Sequence, residues 1–99
     1  MGLNVHRLGD ICTGHGCYGS RPSAEGSPNV FVNSIPVHRQ GDAWESHCCP
    51  GSGCHGSELA AGSSTVYANS LQMARIEDPV ACGSTCSIAQ CSPNVFAGG

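Results

Sequence analysis

Residues 26–42, GSPNVFVNSIPVHRQGD, return in altered form as residues 62–78, GSSTVYANSLQMARIED. The two copies align without a gap. Parts of the same unit occur at residues 7–10, RLGD, and at residues 92–96, SPNVF. A repeated unit of this size cannot bury its own apolar face, so the copies are expected to pack on one another as a single domain over residues 1–99.

Each full copy predicts a β-hairpin. Apolar and β-branched residues flank an Asn-Ser pair, Asn33-Ser34 in the first copy and Asn69-Ser70 in the second. Asn tolerates the positive φ that a two-residue hairpin turn requires, although Ser is a weaker second turn residue than Gly. The hairpins of the two copies should therefore have the same register.

The segments between the hairpins, residues 11–25, 43–61 and 79–90, are rich in Gly and Ser and contain most of the Cys and His residues. They lack the hydrophobic periodicity of a helix. The sequence therefore predicts an all-β domain with long, ordered loops. Loops of this length need something to hold them in a compact domain.

Composition limits the possible functions. The chain has 99 residues, a formal net charge of −3 and four basic residues, all of them Arg, which is too few for a nucleic-acid partner. It also lacks an apolar run of membrane-spanning length and a signal peptide, so synthesis in the cytoplasm is expected. A reducing cytoplasm favours metal ligation over disulfides for the eight Cys and five His residues.

Three potential metal ligands occupy nearly equivalent loop positions. Each loop follows an Asp that closes a repeat: Asp10, Asp42 and Asp78. His15 and His47 come five residues after their Asp, and Cys82 comes four residues after its own. If the copies surround a pseudo-threefold axis, these three side chains converge at one end of it.

A fourth ligand could come from the longest loop. His55 would complete a tetrahedral set of three His and one Cys suited to Zn²⁺, and Cys48, Cys49 and Cys54 are alternatives. Four protein ligands leave no open coordination position, so the site would be structural.

The remaining polar residues have simpler interpretations. The repeat-closing Asp residues are expected to accept backbone N–H bonds, and Arg39 and Arg75 are expected to pair with nearby carboxylates or carbonyls. His6 and His38 are interpreted as structural or solvent-facing. Seven other cysteines remain, some of which could form disulfides, for example between the first and second loops: Cys12, Cys17, Cys48, Cys49, Cys54, Cys86 and Cys91.

The order of these elements resembles the PAAR-repeat family over almost the entire chain. Gly-Asp is followed by a His-bearing loop, then by Gly-Ser-Pro-Asn-Val-Phe-Val-Asn, a turn, and a segment that closes on Arg and Gly-Asp. The Pro-Ala-Ala-Arg of the family is altered here to residues 36–39, PVHR, and residues 72–75, QMAR. The usual Asn-Gly turn reads Asn-Ser in both copies.

The resemblance implies a conical tip that caps the trimeric β-helical spike of a type VI secretion system or a contractile phage tail. It implies a zinc site of His15, His47, His55 and Cys82 near the apex, a broad base that binds the spike, and one tip per trimer. The tip would be a monomer when alone and would contact a target membrane transiently. No toxin extension is recognised, so a bare tip is expected.

Parts of the sequence are compatible with two other functions. An enzyme would need Cys48 or Cys49 as a nucleophile beside His47, but adjacent residues seldom face each other productively, and no catalysis is expected. The alternative is a secreted, disulfide-rich binding module. Counting free thiols and measuring bound zinc would distinguish it from a metal-stabilised tip.

Overall fold

A computed structural model describes residues 2–81 and 86–98. The strands are β1 (Leu3–Asn4), β2 (Phe31–Val32), β3 (Ile35–Pro36), β4 (Ala43–Cys49), β5 (Gly53–Glu58), β6 (Tyr67–Ala68), β7 (Leu71–Gln72) and β8 (Phe96–Ala97). They form four antiparallel pairs: β1 with β8, β2 with β3, β4 with β5, and β6 with β7. The predicted all-β fold is confirmed. The molecule is elongated, with principal extents of 40 × 25 × 22 Å.

Both predicted hairpins are present with the same register. Phe31 lies opposite Pro36 in the first hairpin, and Tyr67 lies opposite Gln72 in the second. The Asn-Ser turns have φ values of 54° and 65° at residues 33 and 34, and 54° and 66° at residues 69 and 70. Two consecutive residues with positive φ are typical of the turn that matches the twist of hairpin strands.

The two ends of the chain pair as antiparallel strands and form the equivalent of a third hairpin, without a connecting turn. Leu3 in β1 lies opposite Ala97 in β8, and Asn4 lies opposite Phe96. The partial copies at the two ends are therefore halves of one repeat, and its second half begins at Leu3 rather than at Arg7, where the sequence pattern first becomes recognisable. Joining the chain ends in this way completes a set of three equivalent hairpins.

A closed ring of backbone hydrogen bonds joins the three copies. The His6 N–H donates to the Ala74 carbonyl (3.0 Å), the Ala74 N–H to the His38 carbonyl (3.0 Å), and the His38 N–H to the His6 carbonyl (3.2 Å). All three residues are fully buried. The ring surrounds the predicted pseudo-threefold axis.

Three equivalent ion pairs surround this ring: Arg7–Asp10 (2.8 Å), Arg39–Asp42 (2.8 Å) and Arg75–Asp78 (3.0 Å). In each pair the Asp also accepts the backbone N–H of its Arg. These contacts confirm the interpretation of the repeat-closing Asp residues and of Arg39 and Arg75. A charge-assisted contact that also caps the turn fixes the point where each loop leaves its hairpin.

Two apolar clusters form the core. One lies under the hairpins and consists of Val5, Val32, Val37, Ala68, Met73 and Ala97. The other lies under the loops and consists of Cys12, Trp44, Leu59, Ala74, Val80, Cys86 and Ile88. The rings of His6 and His38 pack on each other and on Trp44, with ring centroids 4.9–5.1 Å apart. They are structural residues inside the domain, and the solvent-facing interpretation was wrong.

The second loop was predicted as irregular but contains the two longest strands, β4 and β5. Trp44, His47 and Cys49 of β4 are buried, with exposed residues between them. The pattern is hard to recognise in the sequence because a register shift between Trp44 and His47 interrupts the alternation, and because His and Cys occupy buried positions that β-branched residues usually fill. Within the described ranges there is no helix with the length and hydrophobicity needed to cross a bilayer.

Candidate metal centre

The antiparallel pairing of β4 with β5 brings two imidazoles together. His47 lies directly opposite His55 in the ladder, and the register shifts between Trp44 and His47. Trp44, at the start of β4, belongs to the core beneath the loops, whereas His47 lies about 10 Å farther along the strand at the usual rise of about 3.3 Å per residue. The ladder therefore extends the histidines away from the core.

The first loop supplies the third imidazole through a tight turn. The His15 and Tyr18 backbones exchange two hydrogen bonds of 2.9 Å around Gly16 and Cys17. Gly14 precedes this turn with a φ of 74°, and a Cβ at Gly14 would lie only 2.6 Å from the Tyr18 carbonyl oxygen. Only glycine fits this approach, and it sets the direction in which His15 leaves the backbone.

The three imidazoles converge on one point. The Nε2 atoms of His15 and His47 are 3.2 Å apart, those of His15 and His55 are 3.1 Å apart, and those of His47 and His55 are 2.9 Å apart. In a tetrahedral zinc site with Zn–N distances of about 2.0–2.1 Å, two ligand nitrogens lie about 3.3 Å apart. The three histidines could therefore hold a metal ion.

The hydrogen bonding of His47 supports this fit. Its Nδ1–H donates to the Gly19 carbonyl (2.8 Å), so a neutral His47 presents the Nε2 lone pair to the other two rings. A proton on Nε2 of His15 or His55 can be donated to only one of the neighbouring Nε2 atoms at a time. Protons cannot satisfy all three contacts, whereas a cation at the centre of the set can.

A buried guanidinium adds positive charge near the cluster. Arg21 is 3% exposed, donates to the Glu45 carbonyl (3.0 Å) and to the Ser57 hydroxyl, and lies over the Trp44 ring. Desolvation, the ring of His47 and the charge of Arg21 lower the pKa of His15. The pKa of His55 is lowered by desolvation, by the other two rings and by Arg21. Lower pKa values favour the neutral imidazoles that bind metal.

Tyr18 is a site residue that the sequence analysis missed. Its ring centroid lies 4.9 Å from those of His15 and His47 and 4.4 Å from that of His55, so one aromatic side chain contacts all three imidazoles. The spacing of Tyr18 from His15 could have indicated the contact only if the turn at residues 15–18 had been recognised. Arg21 gave no signal of its own in the sequence.

Four cysteines beside the cluster form two disulfides, Cys17–Cys49 and Cys48–Cys54. The first joins the first and second loops, as the sequence suggested. Cys48, Cys49 and Cys54 are consequently not available as alternative ligands. The sequence favoured metal ligation for the cysteines, but these four form disulfides instead.

The disulfides also bear on the enzyme alternative. A nucleophilic role for Cys48 or Cys49 requires a thiolate, and the sulfur atoms of both are covalently bonded.

The fourth predicted ligand, Cys82, lies outside the described residues.

A family model for the PAAR motif matches residues 14–86 and 54–99, and curated protein sequences give no significant match. The family match covers most of the chain and includes the three histidines and both complete repeats. PAAR-motif proteins are structural spike-tip components of secretion or phage-tail machinery, associate with spike proteins and bind metal. The convergent histidines, the threefold hairpins and this match lead to one conclusion: the chain belongs to the PAAR-motif family and has its spike-tip role.

Proposed function

We propose that the chain caps a trimeric β-helical spike, with one tip per trimer, and that Zn²⁺ bound by His15, His47, His55 and Cys82 stiffens the opposite end. The observation that carries this proposal is a threefold set of exposed aromatic side chains. Phe31, Tyr67 and Phe96 occupy equivalent places in the three hairpins and are 55%, 52% and 57% exposed. Exposed aromatic residues in a repeated arrangement indicate an interaction surface.

The threefold arrangement defines the kind of partner. The hydrogen-bonded ring relates the three hairpins, so a partner with threefold symmetry can offer each aromatic ring the same pocket. A single asymmetric partner would have to build three different pockets for the same purpose. The base, which is the surface that carries Phe31, Tyr67 and Phe96, therefore fits the blunt end of a trimer better than it fits a monomeric receptor.

The proposed action is mechanical. The tip would be synthesised in the cytoplasm, assembled on its spike, and carried by a phage tail or a type VI secretion system into transient contact with a target membrane. A metal with four protein ligands leaves no position for a substrate, so no catalysis is proposed. The metal would link Cys82 to residues 13–20 and 45–58, which carry the three histidines and contribute no member to either apolar cluster.

Binding of the base is tested by replacing its aromatic residues. Phe31→Ser, Tyr67→Ser and Phe96→Ser should each weaken binding to the cognate spike trimer by about tenfold or more, because buried aromatic anchors dominate interface energies. Ile11→Ser is the matched control because Ile11 is an exposed apolar residue in the first loop. Calorimetry would measure binding, and equal effects of base and control variants would refute the assigned surface.

Measuring the metal content tests the proposed zinc site at the end of the molecule that carries His15, His47 and His55. Purified protein should contain about one zinc ion per chain by elemental analysis, and Cys82→Ser should lower both metal content and melting temperature because metal binding is linked to folding. A metal-free protein with an unchanged melting temperature would exclude the zinc centre.

The disulfides keep the secreted binding module as a second candidate function, because small secreted domains commonly rely on such bonds. Such a module would bind no spike. The calorimetric experiment on the base therefore separates the two candidates.

A further inference from the structure

The end of the molecule that carries the three imidazoles has almost no apolar packing of its own. Among the described residues, neither core cluster includes a member from residues 13–20 or residues 45–58, which carry all three histidines. Cys49 is buried in this region but belongs to a disulfide. Hydrophobic burial therefore cannot explain how the imidazoles are held in place.

One disulfide lies immediately beside two of the imidazoles. Cys48 pairs with Cys54 in the β4–β5 ladder, in the position next to the His47–His55 pair, and their Cα atoms are 4.0 Å apart. This bond fixes both the separation and the register of the two strands. A one-residue slip would turn His55 to the other face of the ladder, so fixing the register fixes the site.

The second disulfide ties the third imidazole to the same ladder. Cys17 lies within the turn that His15 and Tyr18 close, and it is bonded to Cys49 at the end of β4. The two cysteines are 32 residues apart in sequence. The link consequently joins a loop that is distant in sequence to the strand that bears His47.

We propose that Cys17, Cys48, Cys49 and Cys54 are positioning residues for the metal centre, so that metal binding depends on oxidation of these four thiols; this inference rests on the metal site of the proposed function. The two bonds hold together the three segments that carry His15, His47 and His55 before metal arrives. Each bond forms as two thiols lose two protons and two electrons, and an external small-molecule disulfide such as oxidised glutathione accepts them and becomes two thiols.

The proposal predicts different behaviour for the oxidised and reduced protein. In the oxidised chain the three imidazoles are held together and bind metal without further ordering. In the reduced chain the same segments must be ordered at the expense of binding free energy, and four thiols lie beside the ligands as competitors for a soft or borderline metal. The ligand set and the affinity should both change on reduction.

The test measures Co²⁺ binding by visible spectroscopy in oxidised protein and in two double variants, Cys17→Ser/Cys49→Ser and Cys48→Ser/Cys54→Ser. Each double variant should bind Co²⁺ about 10–100-fold more weakly, the range typical for the loss of groups that orient ligands. Cys91→Ala is the matched control because Cys91 packs against the core beneath the loops, and burial, the largest cause, raises the pKa of its thiol to about 12. It should bind like the unaltered chain.

Near-ultraviolet circular dichroism of Trp44 separates positioning from unfolding, because Trp44 packs in the core beneath the loops, near the end of β4 that is away from Cys48 and Cys49. The proposal requires weakened Co²⁺ binding in variants that keep the Trp44 signal. Equal Co²⁺ affinity in the double variants and the unaltered chain would overturn it. If the oxidised, unaltered chain binds no Co²⁺, the metal centre of the proposed function fails as well.

Reduction supplies an independent test. Addition of a phosphine reductant should change the Co²⁺ spectrum of the unaltered chain but not that of a variant in which all four positioning cysteines are Ser. An unchanged spectrum in the unaltered chain, with both bonds shown by mass spectrometry to be reduced, would overturn the dependence on oxidation.

Discussion

Three equivalent residues just before the repeat-closing Asp residues have a positive φ. Gly9, Gly41 and Glu77 have φ values of 89°, 87° and 71°. Glycine adopts this conformation without steric cost, whereas Cβ makes it unfavourable for Glu. The third copy therefore carries backbone strain that the other two avoid, and the ion pair of Arg75 with Asp78 still forms beside it.

Glu77→Gly should raise the free energy of unfolding by about 1 kcal/mol, because it removes the Cβ from a position with positive φ. Urea denaturation would measure the change. Glu58→Gly is the control, since Glu58 lies in β5 with no positive φ and should lose stability. A loss of stability in Glu77→Gly would mean that the carboxylate makes a contribution larger than the strain.

The buried histidines predict acid sensitivity. Burial, and next the charge of His38, lower the pKa of His6 from 6.5 to about 4, and burial also lowers the pKa of His38. The unfolded chain then binds more protons than the folded chain, so stability falls as pH decreases from about 6.5 towards 4. Protonation of His6 should lower the free energy of unfolding by up to about 3 kcal/mol over this range.

Denaturation of metal-free protein at several pH values would measure this effect without a contribution from metal release, and comparison with a His6 variant would separate it from the titration of His15 and His55. His6→Gln should show a shallower decrease in stability over the same pH range. Identical slopes for the two proteins would show that His6 does not cause the acid sensitivity.

At the level of elements, the hairpins were predictable because a two-residue turn and alternating apolar residues are both local in sequence. The Asn-Ser pairs predicted the turns at residues 33–34 and 69–70 correctly. The β1–β8 pair was only partly visible, because its strands lie at opposite ends of the chain and no turn joins them. The β4–β5 ladder was missed because cysteine and histidine fill positions that apolar residues usually mark.

Ser34→Gly should stabilise the first hairpin by about 0.5–1 kcal/mol, since Ser34 has a φ of 65° and Gly is the preferred second residue of this turn. Thermal unfolding would measure the gain. Ser64→Gly serves as the control because Ser64 is exposed and is not among the positive-φ residues. A similar gain in both variants would show that the turn conformation is not responsible.

The candidate metal site, like the strands, was predictable only in part. His15 and His47 could be paired because they follow equivalent Asp residues, and the structure brings both together with His55. Their metal-binding role remains a prediction. Tyr18 and Arg21 could not be found, because their contacts depend on the turn at residues 15–18 and on the missed ladder.

For the whole molecule, threefold repetition within one chain is the property that connects fold and function. The backbone ring, the three ion pairs and the three exposed aromatic residues all follow the same symmetry. The loops depart from it, because the second loop alone contains a long ladder and supplies two of the three histidines. The symmetric end suits a trimeric partner, and the asymmetric end suits a single metal ion.

We propose that one chain supplies all three equivalent surfaces to a trimeric spike. Native mass spectrometry of the complex with its cognate spike tests this claim most directly, because it counts the subunits. The account predicts a monomer for the free tip and one tip per three spike subunits in the complex. Three tips per trimer would contradict it, since each spike subunit would then bind a tip of its own.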